Sequence, residues 1–296
     1  MTISRRRFVK QVAWGAAGMA LAQTTQPLVG AGRSATDQVL LGKTGIRASR
    51  IAMGTGFNGG GRSSAQVRQG REAFTRLMRN GLDQGMNFFD MADLYGSHQF
   101  VGEVVREVGR DKVVLLSKIW FAQSAGMEGA DRAIPEVDRF RRELGTDMLD
   151  ICLIHCVTNS EWPSQLERMR DELSELKEKG AIRATGVSCH DFGALEVAAD
   201  HPWVDVIFAR INPGAKVMDH SDPQKVADIL RRARANGKAV VGMKIYGAGQ
   251  LSQPEQREES MRWVWGNQLI DAMTIGFEEP EQMDDTVTRL NRVFQA

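Results

Sequence analysis

The chain has 296 residues, of which 42% are hydrophobic and 25% charged, with a formal net charge of +1 at neutral pH. That composition suits one packed globular domain, and the near-zero charge excludes the broad electrostatic footprint of a nucleic-acid-binding or membrane-surface protein. Three cysteines exclude a fold built on a disulfide framework.

The chain opens on Ser4-Arg5-Arg6-Arg7-Phe8-Val9-Lys10, followed by the short apolar stretch VAWGAAGMALA. A basic start, an apolar core and small residues after it make an export signal. The stretch is shorter than the roughly 20 apolar residues of a membrane span, so no stable membrane insertion is expected. The paired arginines with Phe8 and Lys10 resemble a twin-arginine signal, read by machinery that exports folded proteins. A periplasmic protein is therefore expected, cleaved after Ala22 or Ala31. An uncleaved anchor and a chance basic N-terminus are the alternatives. Residues 1–31 hold Arg5, Arg6, Arg7 and Lys10 and no acid, so removing them takes the charge from +1 to −3.

Beyond it, apolar runs of strand length alternate with stretches of helical periodicity. IAMG at Ile51 reads as a first strand, and residues 63–84 as a helix with Val67, Phe74, Leu77, Met78 and Leu82 on one face and Gly85 as its stop. NFFDMA, VVLLSKI and MLDICLIH read as the second, third and fourth strands, with FVGEVVREVG and Ile134–Leu144 as intervening helices. WPSQLERMRDELSELKEKG is amphipathic and ends at Gly180. IRATGVSCH, VDVIFARIN, AVVGMKIY and DAMTIGF supply strands five to eight, separated by helices over Phe192–Ala199, Gln224–Asn236 and Glu255–Gln268. Eight strand–helix repeats over residues 36–296 predict a single α/β domain, a closed (β/α)8 TIM barrel. A doubly wound sheet is the alternative. No G-x-G-x-x-G is expected to open the first helix, and the glycine-rich run GTGFNGGG after the first strand is taken to lack that spacing, so it is not read as a Rossmann fingerprint.

In such barrels the chemistry sits at the C-terminal ends of the strands. Asp90 closes NFFD, Tyr95 follows in the turn DLYG, Lys118 ends VVLLSK, and His155 ends MLDICLIH. Alone, each has an ordinary explanation: a capping acid, a packing tyrosine, a solvated lysine, a core histidine. Together they supply what proton-assisted carbonyl reduction requires. Tyr95 can deliver a proton as general acid. Lys118 can stabilise the phenolate that results, Asp90 can hold Lys118 in place, and His155 can donate a hydrogen bond to the developing alkoxide.

The order of the four resembles the tetrad of the aldo-keto reductase family, and GLDQGMNFFDMADLYGSHQFVGEVVRE resembles that family's most distinctive signature. LGKTGIRASRIAMGTG resembles its opening hairpin and first strand, ATGVS its fifth strand, VVGMKIYGAGQL its seventh, and TIGFEEPEQMDD its cofactor-binding end. The resemblance implies NADP or NAD as cofactor, no metal, and an aldehyde or ketone as substrate. Cofactor contacts are implied at Thr55, Ser188, Cys189, Tyr246, Gly247, Gly249, Leu251, Gly276 and Gln282. Tyr246 is expected to stack on the nicotinamide or to pack at the barrel rim, and Trp120 and Phe121 to wall the substrate pocket. Cys189 replaces the family's usual Asn and Phe208 its sixth-strand Gln, which alters the carboxamide clamp. An exported, reductase-like nicotinamide-binding or sensor protein with little turnover is therefore the second reading. Phe277, Glu278 and Glu279 stand where the family places basic residues, and acids beside a ribose favour a free 2′-hydroxyl, hence NAD. His190 is a weaker substrate-contact candidate. Cys156 and Cys189, on neighbouring strand ends, are expected as reduced thiols, with a disulfide as the alternative.

Overall fold

The computed structural model describes residues 33–122 and 128–296; the export signal expected within residues 1–31 lies outside them. Gln38–Leu40 (β1) pairs antiparallel with Arg47–Ser49 (β2). Eight parallel strands follow and close on themselves: Ile51–Gly54 (β3), Phe88–Asp90 (β4), Val114–Ile119 (β5), Leu149–Val157 (β6), Ile182–Cys189 (β7), Val206–Arg210 (β8), Ala239–Met243 (β9) and Ala272–Gly276 (β10). β10 pairs with β3, matching Gly276 with Gly54. The helices are Ala65–Arg68 (α1), Arg71–Asp83 (α2), His98–Val108 (α3), Ile134–Leu144 (α4), Trp162–Gln165 (α5), Glu167–Glu178 (α6), Phe192–Asp200 (α7), Pro223–Ala235 (α8), Pro254–Gly266 (α9) and Pro280–Gln295 (α10).

Two expected helices are each broken in two. Residues 63–84 divide at Gly70, whose φ of 89° no right-handed helix admits. The helix expected from Trp162 divides at Leu166, φ −114°. β9 is shorter than the run AVVGMKIY, because Lys244 turns to φ 58° and leads the chain out of the sheet.

Strand parity sorts the side chains into two apolar layers. Phe88, Leu116, Ile151, Leu153, Ala184, Phe208 and Val241 fill the barrel. Phe89, Leu115, Cys152, Ile154, Val187 and Val240 pack outward against the helices. Leu41, Ile46 and Ala48 of the hairpin join the inner layer and plug the N-terminal mouth. The same parity carries Asp90, Lys118, His155 and Ser188 inward at the opposite, C-terminal mouth, above that packed floor.

Candidate active site

The four tetrad side chains meet on the wall of one cavity of about 300 Å³. Lys118 is 2% exposed and its ammonium pairs with the Asp90 carboxylate, which is also almost fully buried. Lys118 Nζ donates a second bond to the Met91 carbonyl at 2.9 Å, and Thr274 Oγ1 donates to Asp90 Oδ2 at 2.7 Å. The ammonium lies 5.1 Å from the centroid of the Tyr95 ring and 5.0 Å from that of Phe208, within cation–π range. It is thus fixed from below by a carboxylate and covered by two aromatic faces.

His155 stands at the next strand end, its ring edge-on to Tyr95 at 5.8 Å and to Trp120 at 5.6 Å. Burial, then the Lys118 charge, holds its pKa well below the usual histidine range, so the ring is neutral at neutral pH. Its Nδ1 is buried without a partner among the described residues. Burial pushes the Tyr95 phenol well above its ordinary value, with Asp90 and Cys156 adding to the shift. A phenol kept protonated and a neutral imidazole suit a proton donor and a hydrogen-bond donor.

Tyr95 ends a single 3-10 turn, Asp93–Tyr95, that Arg139 of α4 anchors through the buried Asp93 carboxylate, which Arg62 also reaches at 3.3 Å. Its ring lies flat on the glycine-rich run. Gly54, Gly56 and Gly59 do fall at G-x-G-x-x-G spacing, but α1 opens only at Ala65. A methyl added at Gly56 would overlap Cζ, Cε1 and Cε2 of Tyr95, and one at Gly59 would come within 2.8 Å of Cδ1. The glycines are thus a seat for the phenol. Gly56→Ala is expected to lift the ring off its seat and, for the carbonyl reduction expected from the sequence, to lower kcat by up to about 10²-fold, the cost of a group misplaced by about 1 Å. Dinucleotide affinity should change less. Steady-state kinetics with fluorescence binding checks it, and an unchanged kcat would remove the seat.

Of the residues expected at the cofactor, Ser188, Tyr246, Gly249, Leu251, Gly276 and Gln282 line the cavity. Others do not. Cys189 is fully buried in the outer layer, because parity opposes it to Ser188. Thr55 is buried, with Oγ1 bonded to the Asp90 carbonyl at 2.9 Å and to Ser97 at 2.7 Å. Gly247 packs beneath the loop against Lys216. Trp120 backs His155 from behind, and Phe121 packs at the edge of the outer core. Tyr246 turns away from the tetrad: its hydroxyl is 3.3 Å from Thr286 of α10, and Arg257 lies over its ring at 5.7 Å. The apolar side chains from β8 and β9 at the tetrad end are Phe208 and Met243. Cys156 and Cys189 are both free thiols, and Cys156 Sγ lies 3.3 Å from His190 Nε2.

Lys244, Arg257 and Thr286 are lining residues that the sequence does not announce. His190 and Lys244 share the tetrad end, while Arg257, Glu278 and Thr286 line the far end. Gln66, fully buried, donates to the carbonyls of Gly54 and Phe277 at 3.1 and 3.0 Å and ties β3 to the end of β10.

The model of the aldo/keto reductase family matches residues 50–293, the whole barrel. The chain belongs to the aldo/keto reductase family. Among family relatives it is 35% identical over 158 residues to Aldo-keto reductase YhdN of Bacillus subtilis (strain 168), covering 49% of this chain and 44% of that protein. It is 29% identical over 136 residues to Methylglyoxal reductase DkgB of Salmonella typhi, covering 42% and 47%. The aligned stretches thus span less than half the length of these curated relatives. A solved putative aldo-keto reductase from Pseudomonas aeruginosa superposes with a TM-score of 0.72 at 20% identity over 88% of this chain and 97% of that one. The holo form of an aldo-keto reductase from Bacillus halodurans gives 0.68 at 16% identity over 88% and 95%. At these identities the two structures speak for the shared fold alone.

Proposed function

We propose that the protein is an NAD(P)H-dependent oxidoreductase that reduces aldehydes or ketones to alcohols, with Tyr95 as proton donor. The observation that carries this is the convergence of Asp90, Tyr95, Lys118 and His155 on one cavity. The cavity continues past Tyr246, Gly249 and Leu251 to Gly276 and Gln282, a path suited to an extended dinucleotide. A bound nicotinamide supplies the hydride. The carbonyl oxygen is set between the Tyr95 hydroxyl and His155. His155 stabilises negative charge on that oxygen by hydrogen bonding, and Tyr95 transfers its proton to it. Lys118, held by Asp90, stabilises the phenolate left behind. Phe208 and Met243 keep water from the reacting carbon. The methylglyoxal reductases among the relatives support a small carbonyl substrate.

The direct test is oxidation of NADPH or NADH by the purified protein with a panel of aldehydes. Reduction above the uncatalysed rate supports the reading. Tight dinucleotide binding with no turnover would replace it by the binding or sensor reading, which the outward Cys189 and the inward Phe208 favour.

Cofactor choice rests on the far end of the cavity. Glu278 lines it, and its backbone N–H donates to Gln282 Oε1 at 2.8 Å. A 2′-phosphate beside that acid would be repelled, so NADH is expected to bind at least as tightly as NADPH. Arg257 is the one cation lining that end among the described residues. Dissociation constants decide: much tighter NADPH binding, lost in Arg257→Gln, would reverse the preference.

Residues 1–31 are proposed as a twin-arginine leader that delivers the folded protein to the periplasm. Arg5→Lys with Arg6→Lys is expected to leave the protein in the cytoplasm, because the pathway reads the arginine pair and not charge alone. Unchanged export on fractionation would point to a general secretory signal.

A further inference from the structure

The tetrad end of the cavity holds a charge that the reaction itself does not use. Lys244 lines the cavity, half-buried, one residue beyond β9. Its backbone takes φ 58°, which costs an L-residue of order 1 kcal/mol and persists only where the surroundings impose it. They do so here. The Lys244 carbonyl accepts from the fully buried Asn212 side chain at 3.1 Å and from the Gly247 N–H at 2.7 Å. The loop is therefore held in the geometry that gives Lys244 its place on the wall.

The neighbouring cations are all compensated. Lys118 is paired with Asp90, and Arg210 with the buried Asp219. Among the described residues, no hydrogen bond or ion pair engages the Lys244 ammonium. A partly desolvated, unpaired charge is costly unless something answers it. The two acids on the cavity wall do not: Asp90 is committed to Lys118 and Thr274, and Glu278 lies at the far end. Lys244 lines the same cavity as Tyr95, His155 and His190, and its charge adds to the burial that lowers the pKa of both imidazoles. The far end has its own cation in Arg257, next to Tyr246 and Leu251. His190, kept neutral by burial and its pKa lowered to about 3, adds a second polar group to the Lys244 side of the cavity.

We propose that Lys244 is a substrate-recognition residue that binds a carboxylate carried by the carbonyl substrate, so that the preferred substrates are oxo acids or aldehyde acids. This rests on the carbonyl-reductase reading and narrows its substrate class. The ammonium and the carboxylate form a charge-assisted hydrogen bond away from bulk water, while the carbonyl end of the same molecule reaches Tyr95 and His155.

The test compares 4-carboxybenzaldehyde with its methyl ester in the parent, Lys244→Met and Lys244→Arg. The ratio of kcat/KM for acid over ester should fall by about 10–100-fold in Lys244→Met, the range for losing a hydrogen bond to a charged group, and should recover largely in Lys244→Arg. The loss should appear in KM for the acid. Calorimetric binding of 4-carboxybenzaldehyde and its ester gives the same comparison without turnover, so failure of the reductase reading would show as absent catalysis with the binding contrast intact. An unchanged acid-to-ester ratio in both assays would overturn the proposal. So would a rise in the NADH or NADPH dissociation constant with the ratio unchanged, which would assign Lys244 to a cofactor phosphate.

Discussion

Tyr95→Phe is expected to lower carbonyl reduction by at least about 10²-fold while the dinucleotide still binds. The substitution removes one oxygen and keeps the ring, so the stack on Gly56 and Gly59 and the contact with the Lys118 ammonium survive. What is lost is the proton donor, and general acid catalysis contributes about 10²–10⁴-fold. Because burial pushes the phenol well above its usual range, the parent's donor stays protonated from mildly acid to mildly alkaline pH. Its reduction rate should show no loss from phenol ionisation across that window. Turnover of Tyr95→Phe within a few-fold of the parent would remove Tyr95 as the acid, and steady-state kinetics across pH measures both points.

Lys118→Met should be costly twice over. It strips the buried Asp90 carboxylate of its cation and leaves it the Thr274 hydroxyl as its remaining side-chain donor. Breaking one side of a buried pair costs about 3–5 kcal/mol, because the surviving charge is stranded. It also removes the charge that stabilises the phenolate, worth about 10²–10³-fold in rate by analogy with other preorganised electrostatic groups. The two effects separate in the double variant. Asp90→Asn with Lys118→Met carries no stranded charge and should regain most of the stability, yet remain inactive. Denaturant melts together with kinetics read both. If the double variant were as unstable as the single one, the loss would come from packing at the barrel mouth and not from charge.

The eight strands, and the meeting of Asp90, Lys118 and His155 at one barrel mouth, were legible because both depend on local pattern. Each strand is a short apolar run, and Asp90, Lys118 and His155 lie at run ends with the parity of the inward residues Phe88, Leu116 and Leu153. The same parity, followed one residue further, would have turned Cys189 outward. The sequence expectation instead set it beside Ser188 on the strength of the family pattern. Tyr246, expected either on the nicotinamide or packed at the barrel rim, lines the cavity with its hydroxyl 3.3 Å from Thr286, and the loop that carries it passes through a positive φ at Lys244 that no local pattern announces. Gln66 was invisible for another reason. Its bond to Phe277 spans 211 residues, and only barrel closure brings those positions together. The glycines at 56 and 59 were legible as glycines but not as a seat, since the ring they carry arrives from the next strand–helix unit.

The proposed reaction moves a hydride to a carbonyl carbon and a proton to its oxygen within this cavity. The most direct measurement supplies NADH or NADPH deuterated at the transferable position, an aldehyde and the purified protein, and analyses the product by mass spectrometry. The expected product is an alcohol carrying one deuterium on its carbinol carbon, with its formation slowed at least about 10²-fold in Tyr95→Phe. An unlabelled alcohol, or bound dinucleotide with no alcohol formed, would contradict it.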